Sequence, residues 1–269
     1  MPYASTTSYR RTVTQISGNT ILITGGGSGI GRALAEAFHR RGNKVIVAGR
    51  RQAALDAVRE ANPGIETATL DLTDPQDIAR FAVQVARDYP TLNALLNNAG
   101  IMQPEDWRAA EVNTSIAEVT IATNLLAPIR LTAALLPLLR KQAKSTVLNV
   151  SSGLAFLPLA ITPTYSATKA AIHSFSESLR YQFKGTGVDV VEIAPPYVQT
   201  ELMGEQQASD PNAMPLAEFI DEVMSILESQ PDAHEVLVKR VLPLRFAAEQ
   251  GREGYAKQFA GLNDHFAGS

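Results

Sequence analysis

Two residues in the middle of the chain could transfer a proton to or from a bound substrate. Tyr165 and Lys169 are four positions apart, so on a helix their side chains share one face. A free tyrosine has a pKa of about 10, which is too high for a base near neutral pH. A neighbouring ammonium favours the phenolate and lowers that pKa. The pair therefore predicts a tyrosine that acts as a general acid or base.

A glycine-rich turn near the N-terminus could hold a phosphate. Residues 24–31 read TGGGSGIG and stand between a predicted strand and a predicted helix. Such glycines allow a sharp turn and bring backbone N–H groups close to an anion, and the helix adds its N-terminal partial positive charge. A Walker loop is excluded, because Arg32 and Ala33 replace its Lys-Ser/Thr pair. We expect a dinucleotide here, and the alternative is a turn without a ligand. The predicted contacts are Thr24, Gly25, Gly27, Ser28, Gly29, Ile30 and Gly31.

The end of the second predicted strand indicates which dinucleotide would bind. An acidic residue about 20 positions beyond the glycine turn would bind the adenosine ribose and favour NAD. The chain has Arg50 and Arg51 there, and the guanidinium of Arg50 can bind a ribose 2′-phosphate. The sequence therefore favours NADP(H) over NAD, although Arg50 could also be a solvated surface residue. Asp71 and Leu72 are predicted to line the adenine, and Asp71 could instead cap a turn.

Alternating strands and helices must position these residues. Short apolar or β-branched runs predict strands at 20–24, 44–48, 67–70, 94–96, 145–150, 188–193 and 236–242. Apolar residues at helical spacing predict helices at 31–41, 52–61, 75–89, 115–141, 165–184 and 216–229. This alternation predicts an α/β fold, a parallel sheet with helices on both faces.

The domain organisation is one unit preceded by a short extension. Residues 1–16 are polar and lack the apolar core of a signal peptide, so we expect an N-terminal extension and a cytoplasmic protein. Residues 17–269 are expected to form a single domain, since α/β folds of about 250 residues often do so. The polar segment 201–216, with one glycine and two prolines, is expected to be a mobile lid.

The composition excludes several classes of function. With 24 basic and 27 acidic residues the net charge is −3, which offers no electrostatic surface for nucleic acid or anionic lipid. The chain has no cysteine, so a disulfide scaffold, a thiolate nucleophile and a Cys-ligated metal are excluded. The histidines lack metal-ligand spacing, and no metal is expected. The apolar segment 119–139 is interrupted by Asn124, Pro128 and Arg130, so no membrane span is expected.

Taken together, these motifs resemble the short-chain dehydrogenase/reductase family. The matching segments over residues 17–200 are the glycine turn, Asn97-Asn98-Ala99-Gly100, Asn124, Ser151-Ser152, Tyr165-x-x-x-Lys169 and Pro195-x-x-Val198-x-Thr200. Residues 151–160 and the Pro195-Pro196 pair resemble the DltE-type subgroup. The resemblance implies a doubly wound (Rossmann) sheet of about seven parallel strands. It also implies nicotinamide-dependent oxidation of alcohols and reduction of carbonyl compounds.

The resemblance implies a role for each matching residue. Residues that would bind the cofactor are Asn98, Ala99 and Gly100 on the adenosine side, and Pro195, Val198 and Thr200 at the nicotinamide end. Residues that would act in catalysis are Ser152 in preference to Ser151, Tyr165, Lys169 and Asn124. Ser152 would polarise the substrate oxygen, Lys169 would also bind the nicotinamide ribose, and Asn124 would anchor a water in a proton path. Pro196 stands where the family usually has glycine, which removes a backbone N–H and stiffens the loop.

Substrate and assembly are predicted more coarsely. The apolar segment 153–164 predicts a pocket in which Leu154, Phe156 and Leu157 contact a carbonyl compound or secondary alcohol with apolar substituents. Family members commonly form homodimers or homotetramers through the helices that contain Asn124 and Tyr165, and we expect the same. The alternative function is a nicotinamide-binding regulatory protein without turnover. The complete Ser–Tyr–Lys set argues against it, because a sensor needs no proton donor.

Overall fold

The computed structural model describes residues 15–267, which are built around a seven-stranded sheet. Its strands are β1 (Thr20–Thr24), β2 (Lys44–Gly49), β3 (Glu66–Thr69), β4 (Ala94–Asn97), β5 (Ser145–Val150), β6 (Val188–Ile193) and β7 (Glu235–Val236). The strand order is β3-β2-β1-β4-β5-β6-β7, and all neighbouring strands are parallel. The strand order reverses between β1 and β4, where doubly wound folds bind their ligands.

Helices cover both faces of this sheet. They are α1 (Gly29–Arg40), α2 (Gln52–Ala61), α3 (Pro75–Asp88), α4 (Ser115–Ile121), α5 (Ala127–Leu139), α6 (Pro163–Gln182), α7 (Glu205–Ser209), α8 (Leu216–Ser229), α9 (Leu242–Arg245) and α10 (Gly251–Ala267). On one face α1 and α8 pack on the sheet through residues such as Leu34 and Val223. On the other face α3 and α5 pack through residues such as Phe81 and Leu135. The predicted doubly wound α/β fold is thereby confirmed.

The apolar runs become strands because both sides of the sheet are covered. All residues of β1, which reads TILIT, are buried, as expected of a central strand in a parallel sheet. Helix α3 begins where predicted, because the side chain of Asp74 accepts a hydrogen bond from the backbone N–H of Gln76. These local rules explain why most predicted elements lie within a few residues of the observed ones.

The long apolar helix predicted at 115–141 is interrupted. Between α4 and α5, residues Ala122–Leu126 form a π-helical turn, and such turns often occur at functional sites. By length and composition the stretch Ser115–Leu139 could also cross a membrane. Its α5 part packs against α3, and Leu131 and Leu135 are fully buried. A core helix of this fold therefore accounts for its apolar character.

Two predicted segments differ from the structure. The strand predicted at 236–242 is wrong beyond its first residue, because only Glu235–Val236 pairs with β6. The chain then turns into a 3-10 turn at Lys239–Val241 and into α9, and Val238 and Val241 are buried in the core instead. The segment 201–216 includes the short helix α7. The predicted N-terminal extension lies outside the described residues, apart from its last two positions.

Candidate active site

A cleft of about 990 Å³ opens at the carboxyl ends of the central strands. Most of the predicted site residues line it, namely Gly25, Gly27, Ser28, Gly29, Ile30, Gly31, Arg50, Asp71, Leu72, Asn98, Ala99, Gly100, Ser152, Tyr165, Lys169, Pro195, Val198 and Thr200. Pro196 also lines it. Thr24 and Asn124 are buried beside the cleft and do not form its wall. The fold thus brings together residues that are up to 175 positions apart (Gly25 and Thr200).

The glycine turn lies between β1 and α1 and is packed tightly. Gly25 and Gly29 have positive φ angles of 66° and 53°, which L-residues with side chains rarely adopt. A Cβ on Gly31 would lie 2.5 Å from the carbonyl oxygen of Gly25 and would also overlap the side-chain nitrogen of Asn98. The turn therefore exposes bare backbone at the N-terminus of α1, which is the cradle that a pyrophosphate requires.

Thr24 and Asn98 hold this turn against the loop after β4. The hydroxyl of Thr24 accepts hydrogen bonds from the backbone N–H groups of Asn98 (3.1 Å) and Ala99 (3.2 Å). In return, Nδ2 of Asn98 donates to the carbonyl oxygen of Thr24 (3.0 Å). Both residues are predicted cofactor contacts, and the structure gives them a positioning role in addition. The side chain of Thr24 is buried and does not line the cleft.

Two arginines stand at the far end of the cleft, after β2. Arg50 is exposed and lines the cleft. Arg51 donates a hydrogen bond to the hydroxyl of Ser28 (3.1 Å), across the glycine turn. Arg51 is not among the residues predicted to bind the cofactor, although the two consecutive arginines are the signal that could have identified it. The end of the cleft is therefore basic where a ribose 2′-phosphate would lie.

Asp71 lies at the end of the cleft where the adenine is predicted to bind, and its side chain stabilises the turn that follows it. Its Oδ1 accepts hydrogen bonds from the hydroxyl (2.7 Å) and the backbone N–H (2.9 Å) of Thr73. These bonds lower the pKa of Asp71. Its backbone N–H donates to Asp77 (2.8 Å). Asp71 therefore caps a turn through Oδ1, which was the alternative prediction, and it also lines the cleft.

Ser152, Tyr165 and Lys169 meet in the middle of the cleft. Tyr165 and Lys169 are both buried, on successive turns of α6. The Tyr165 hydroxyl is hydrogen-bonded to Ser152. Nζ of Lys169 lies 5.5 Å from the centre of the Tyr165 ring and donates to the carbonyl oxygen of Val150 (2.8 Å). Ser151 instead directs its hydroxyl at the carbonyl oxygen of Ile193 (3.5 Å).

The pKa of Tyr165 in the structure differs from the lowered value that its spacing from Lys169 predicts. Burial raises the pKa of Tyr165 to about 12, and the hydrogen bond with Ser152 only partly opposes this. Burial also lowers the pKa of Lys169 to about 8, opposed by the negative charge of Glu192. The expected lowering of the tyrosine pKa by Lys169 is therefore not found in the protein alone, because desolvation of the phenolate outweighs it.

Asn124 lies in the π-helical turn, and its side chain forms two hydrogen bonds with the backbone of one residue, Ile101. Its Oδ1 accepts from the N–H of Ile101 (2.9 Å), and its Nδ2 donates to the carbonyl oxygen of Ile101 (2.8 Å). A Cβ on Gly100 would approach both Oδ1 of Asn124 (3.4 Å) and Nζ of Lys169 (3.7 Å). Asn124 thus supports the floor of the cleft next to Lys169. The sequence did not identify Ile101 as its partner.

An apolar cluster lies beside Tyr165, where a substrate would enter. Its members are Met102, Leu159, Tyr165, Leu154, Ile161, Met203, Leu262 and Phe266. Of the three residues predicted to contact substrate, only Leu154 is among them. Leu157 is buried elsewhere, and the Phe156 ring packs edge-on against His173 (4.7 Å). Leu262 and Phe266 come from α10, a segment without a predicted functional role.

Gln207 of α7 ties the predicted lid to the loop after β6. Its Nε2 donates to the carbonyl oxygen of Val198 (2.8 Å) and to the hydroxyl of Thr200 (3.2 Å). Its Oε1 accepts from the N–H of Met203 (3.1 Å). The side chain is buried. Sequence reasoning missed this residue, because a polar residue in a polar segment carries no distinguishing signal.

Comparisons with known proteins agree with this geometry. A family model described as short chain dehydrogenase matches residues 19–211. An uncharacterized oxidoreductase, DltE of Bacillus subtilis (strain 168), is 37% identical over 252 residues, which are 93% of this chain and 98% of that protein.

Solved structures show the same fold with either nicotinamide cofactor. A short-chain dehydrogenase from Sphingobium yanoikuyae in complex with NADPH is 29% identical, with a TM-score of 0.72 over 89% of this chain and 93% of that one. A short chain dehydrogenase/reductase from Burkholderia phymatum in complex with NAD is 19% identical, with a TM-score of 0.75 over 87% of this chain and 94% of that one. The second likeness concerns the fold alone.

Proposed function

The chain belongs to the short-chain dehydrogenase family, and from this premise we propose that it is an NADP(H)-dependent oxidoreductase that interconverts a carbonyl compound and a secondary alcohol. The observation that carries the proposal is the Tyr165 hydroxyl, hydrogen-bonded to Ser152 in the cleft that also contains the glycine turn. The Lys169 ammonium lies one helical turn further on. A proton donor next to a nucleotide cradle supports hydride transfer coupled to proton transfer.

The residues of the cleft fit a dinucleotide. Bare backbone at Gly31 and the start of α1 would hold the pyrophosphate, since nothing larger than hydrogen fits at this position. When bound, the nicotinamide ring supplies or accepts the hydride. The loop with Val198 and Thr200, supported by Gln207, would contact the nicotinamide end.

Each polar residue then has a separate task. Tyr165 donates its proton to the substrate oxygen in reduction and takes it back in oxidation. Ser152 donates a hydrogen bond that orients this oxygen and stabilises the charge developing on it. Lys169 binds the nicotinamide ribose hydroxyls and stabilises the phenolate that Tyr165 leaves behind. Asn124 positions the backbone beside Lys169, where a water of the proton path would bind.

The raised pKa of Tyr165 favours reduction near neutral pH. At a pKa of about 12 the phenol is protonated, which is the form that a general acid needs. Oxidation needs the phenolate, which requires that positive charge near the ring lower this pKa. We therefore expect the oxidation rate to rise with pH above 7, and the reduction rate to be constant or fall.

The preference for NADP(H) rests on the residues after β2. Arg50 lines the far end of the cleft and Arg51 crosses to Ser28, so two guanidinium groups are available for a 2′-phosphate. The NADPH complex of the relative from Sphingobium yanoikuyae supports this choice. The fold itself also accommodates NAD, and the side chains at this end therefore decide the preference.

The substrate is proposed from the wall next to Tyr165. Met102 and Met203 line the cleft here, and Leu159, Leu262 and Phe266 belong to the same apolar cluster. Burying an apolar substituent against such side chains yields about 25 cal/mol per Å². We therefore assign a ketone or aldehyde with an apolar substituent, and the corresponding alcohol, as the substrate class.

A substrate screen tests the proposal. Purified protein would be incubated with NADPH or NADH and a panel of aldehydes and ketones of increasing apolar size, and oxidation of the cofactor would be followed by absorbance. We expect turnover with NADPH of at least one apolar carbonyl compound. In Tyr165→Phe the turnover should fall about 10²–10⁴-fold, the usual contribution of a general acid.

Tyr181→Phe is the matched control, because Tyr181 lies on the same helix and is 71% exposed. It should leave the rate unchanged. Activity that survives in Tyr165→Phe would contradict the assignment. Tight NADPH binding without turnover of any compound would favour the regulatory alternative instead.

We also propose a homodimer or homotetramer that uses α4, α5 and α6. Ile121 and Leu126 are 39% and 36% exposed near the π-helical turn, and apolar surface of this kind is suited to contact with a second copy. Light scattering would give the mass in solution. A mass near 28.9 kDa, that of one chain, would contradict this assembly.

A further inference from the structure

A second group of polar and charged side chains packs between α6 and the sheet. Lys169, His173 and Ser176 stand at positions i, i+4 and i+7 of α6, so they form one stripe along the helix. Asn149 and Glu192 are paired neighbours on β5 and β6. Both face this stripe, because Asn149 donates to the Ser176 hydroxyl (2.9 Å) and Glu192 lies 2.8 Å from His173.

Glu192 is an unusual residue for the middle of a sheet. Its side chain is fully buried, with 0% exposure. Oε2 is hydrogen-bonded to Nδ1 of His173, whereas Oε1 has no hydrogen-bond partner within residues 15–267. A buried carboxylate is costly unless neighbouring charges compensate it. The positively charged groups around Glu192 must therefore offset the cost of burying its carboxylate.

Charged groups approach the His173–Glu192 pair from three further directions. Glu177 of α6 lies 3.7 Å from Nε2 of His173, on the exposed side. Glu235 of β7 lies 3.9 Å from Nδ1 of His173. Arg245 of α9 binds both carboxylate oxygens of Glu235, at 2.8 and 3.0 Å. Arg245 mainly compensates Glu235, and the basic groups that interact with the charge of Glu192 are His173, Lys169 and Arg245.

We propose that Glu192, held in place by His173, is a positioning residue whose negative charge keeps Lys169 protonated. This role rests on the proposed function, in which the Lys169 ammonium binds ribose hydroxyls and stabilises the Tyr165 phenolate. Glu192 touches neither substrate nor cofactor and acts only through Lys169.

The electrostatics of both cations support the assignment. Burial lowers the pKa of Lys169 to about 8, and the charge of Glu192 opposes this effect. The hydrogen bond to Glu192 raises the pKa of His173, so part of the carboxylate charge is shared with the imidazole. Without Glu192, the lysine would lose its proton at a lower pH, within the range in which the enzyme is expected to work.

A metal ion is the competing explanation for this cluster. His173, Glu192 and Glu235 offer ligand atoms that lie within 4.8 Å of one another. However, the guanidinium of Arg245 already binds both oxygens of Glu235, and its charge would repel a divalent cation. The arrangement therefore favours a counter-charge for Lys169 over a metal site.

A titration of Lys169 tests the proposal without any substrate. The protein would be labelled with carbon-13 at the lysine Cε, and the Lys169 resonance would be assigned by its absence in Lys169→Arg. We expect a titration midpoint near pH 8 in the wild type. In Glu192→Gln the midpoint should fall by about one pH unit, as expected when a nearby opposite charge is lost. An unchanged midpoint would overturn the proposal.

Glu177→Gln is the matched control, because it removes an exposed carboxylate from the same helix. Its midpoint should stay within about 0.2 units of the wild type, since solvent screens exposed charges. An equal fall in Glu192→Gln and Glu177→Gln would show a general charge effect and would overturn the specific role.

A second variant decides the matter if Glu192→Gln does not fold. Glu192→Met places an apolar side chain of similar length in the buried site and removes the carboxylate without leaving a buried polar group there. The Lys169 midpoint should then fall, as in Glu192→Gln. An unchanged midpoint would contradict the proposal.

The activity assay separates this proposal from the proposed function. If a carbonyl substrate is found, the high-pH limb of kcat/KM should move down with the Lys169 midpoint in Glu192→Gln. If the protein shows no Tyr165-dependent turnover, the proposed function fails, while the titration still reports whether Glu192 controls Lys169.

Discussion

At the nucleotide end of the cleft the wall is backbone, whereas at the substrate end it consists of side chains from distant segments. Gly25 and Gly31 sit so close to Asn98 and Ala99 that an added Cβ would overlap them. The substrate end is instead lined by side chains such as Met102 and Met203, and partly buried side chains of α10 pack against the apolar cluster to which they belong. The first end depends on the absence of side chains, and the second on their identity.

The two ends of the cleft therefore differ in the substitutions that they tolerate. A backbone cradle binds the part of the cofactor that is common to all dinucleotides, and any side chain added there removes it. A wall of flexible apolar side chains can be altered one residue at a time while the fold is retained. The substrate class can therefore change without loss of the cofactor site, and four substitutions test this separation.

The largest effect is expected for Gly31→Ala. Its Cβ would lie 2.5 Å from the backbone oxygen of Gly25, which cannot move aside, and overpacking costs about 1–3 kcal/mol. Affinity for NADPH should fall by about 10–100-fold, as measured by fluorescence titration, together with a lower Tm. The control is Gly261→Ala in α10, where no atom lies within 4 Å of the added Cβ. It should leave both quantities unchanged or raise Tm slightly.

Arg50→Ala should act at the nucleotide end on one cofactor only. A hydrogen bond to a charged group contributes about 1.5–3 kcal/mol, so the Kd for NADPH should rise by about 10–100-fold. The Kd for NADH should stay within about twofold, because NADH lacks the 2′-phosphate. Arg59→Ala removes an exposed arginine paired with Asp56 and is the control. Equal losses for both cofactors would refute the proposed role of Arg50.

Leu262→Ala should act at the substrate end only. Leu262 packs against the apolar cluster beside Tyr165, and loss of a partly buried leucine corresponds to about 1.4 kcal/mol. For a bulky apolar ketone kcat/KM should fall about tenfold, while the Kd for NADPH does not change. Steady-state kinetics with a bulky and a small carbonyl compound would measure this. An equal fall for both compounds would show that Leu262 does not contact the apolar substituent.

The smallest effect is expected for Gln207→Met, at the junction of the two ends. Methionine has about the length of glutamine and no charge, but it loses the hydrogen bonds with Val198, Thr200 and the N–H of Met203. Losing such hydrogen bonds costs about 1 kcal/mol, so NADPH affinity should fall roughly fivefold. Gln206→Met changes the neighbouring exposed glutamine and should have no effect. A fall equal to that of Gly31→Ala would erase the distinction between the two ends.

Most elements of the fold could be predicted from local patterns. The runs at 20–24, 145–150 and 188–193 form strands with the predicted bounds, because strands covered on both faces consist mainly of apolar and β-branched residues. The segment 236–242 is also mostly apolar, yet only its first residue, Val236, pairs with β6. An apolar run can be buried without joining the sheet, and no local pattern distinguishes the two outcomes.

The candidate site could be predicted only in part. Spacing on one helix was enough to bring Tyr165 and Lys169 together. The partners of Asn124 and Gln207, which are Ile101 and Val198, depend on a π-helical turn and on the course of a loop. Phe156 was expected at the substrate and lies against His173 instead, because the short turn after Ser152 directs its ring the other way.

The sequence by itself determined the order of strands and helices, the glycine turn and the Tyr165–Lys169 pair, since each depends on residues that are close together in the chain. The tertiary structure alone decided the burial that raises the pKa of Tyr165, the placement of Glu192 opposite His173 and the packing of α10 against the apolar cluster beside Tyr165. Burial and the distance between charges depend on how remote segments pack. Neither can be read from neighbours in the chain.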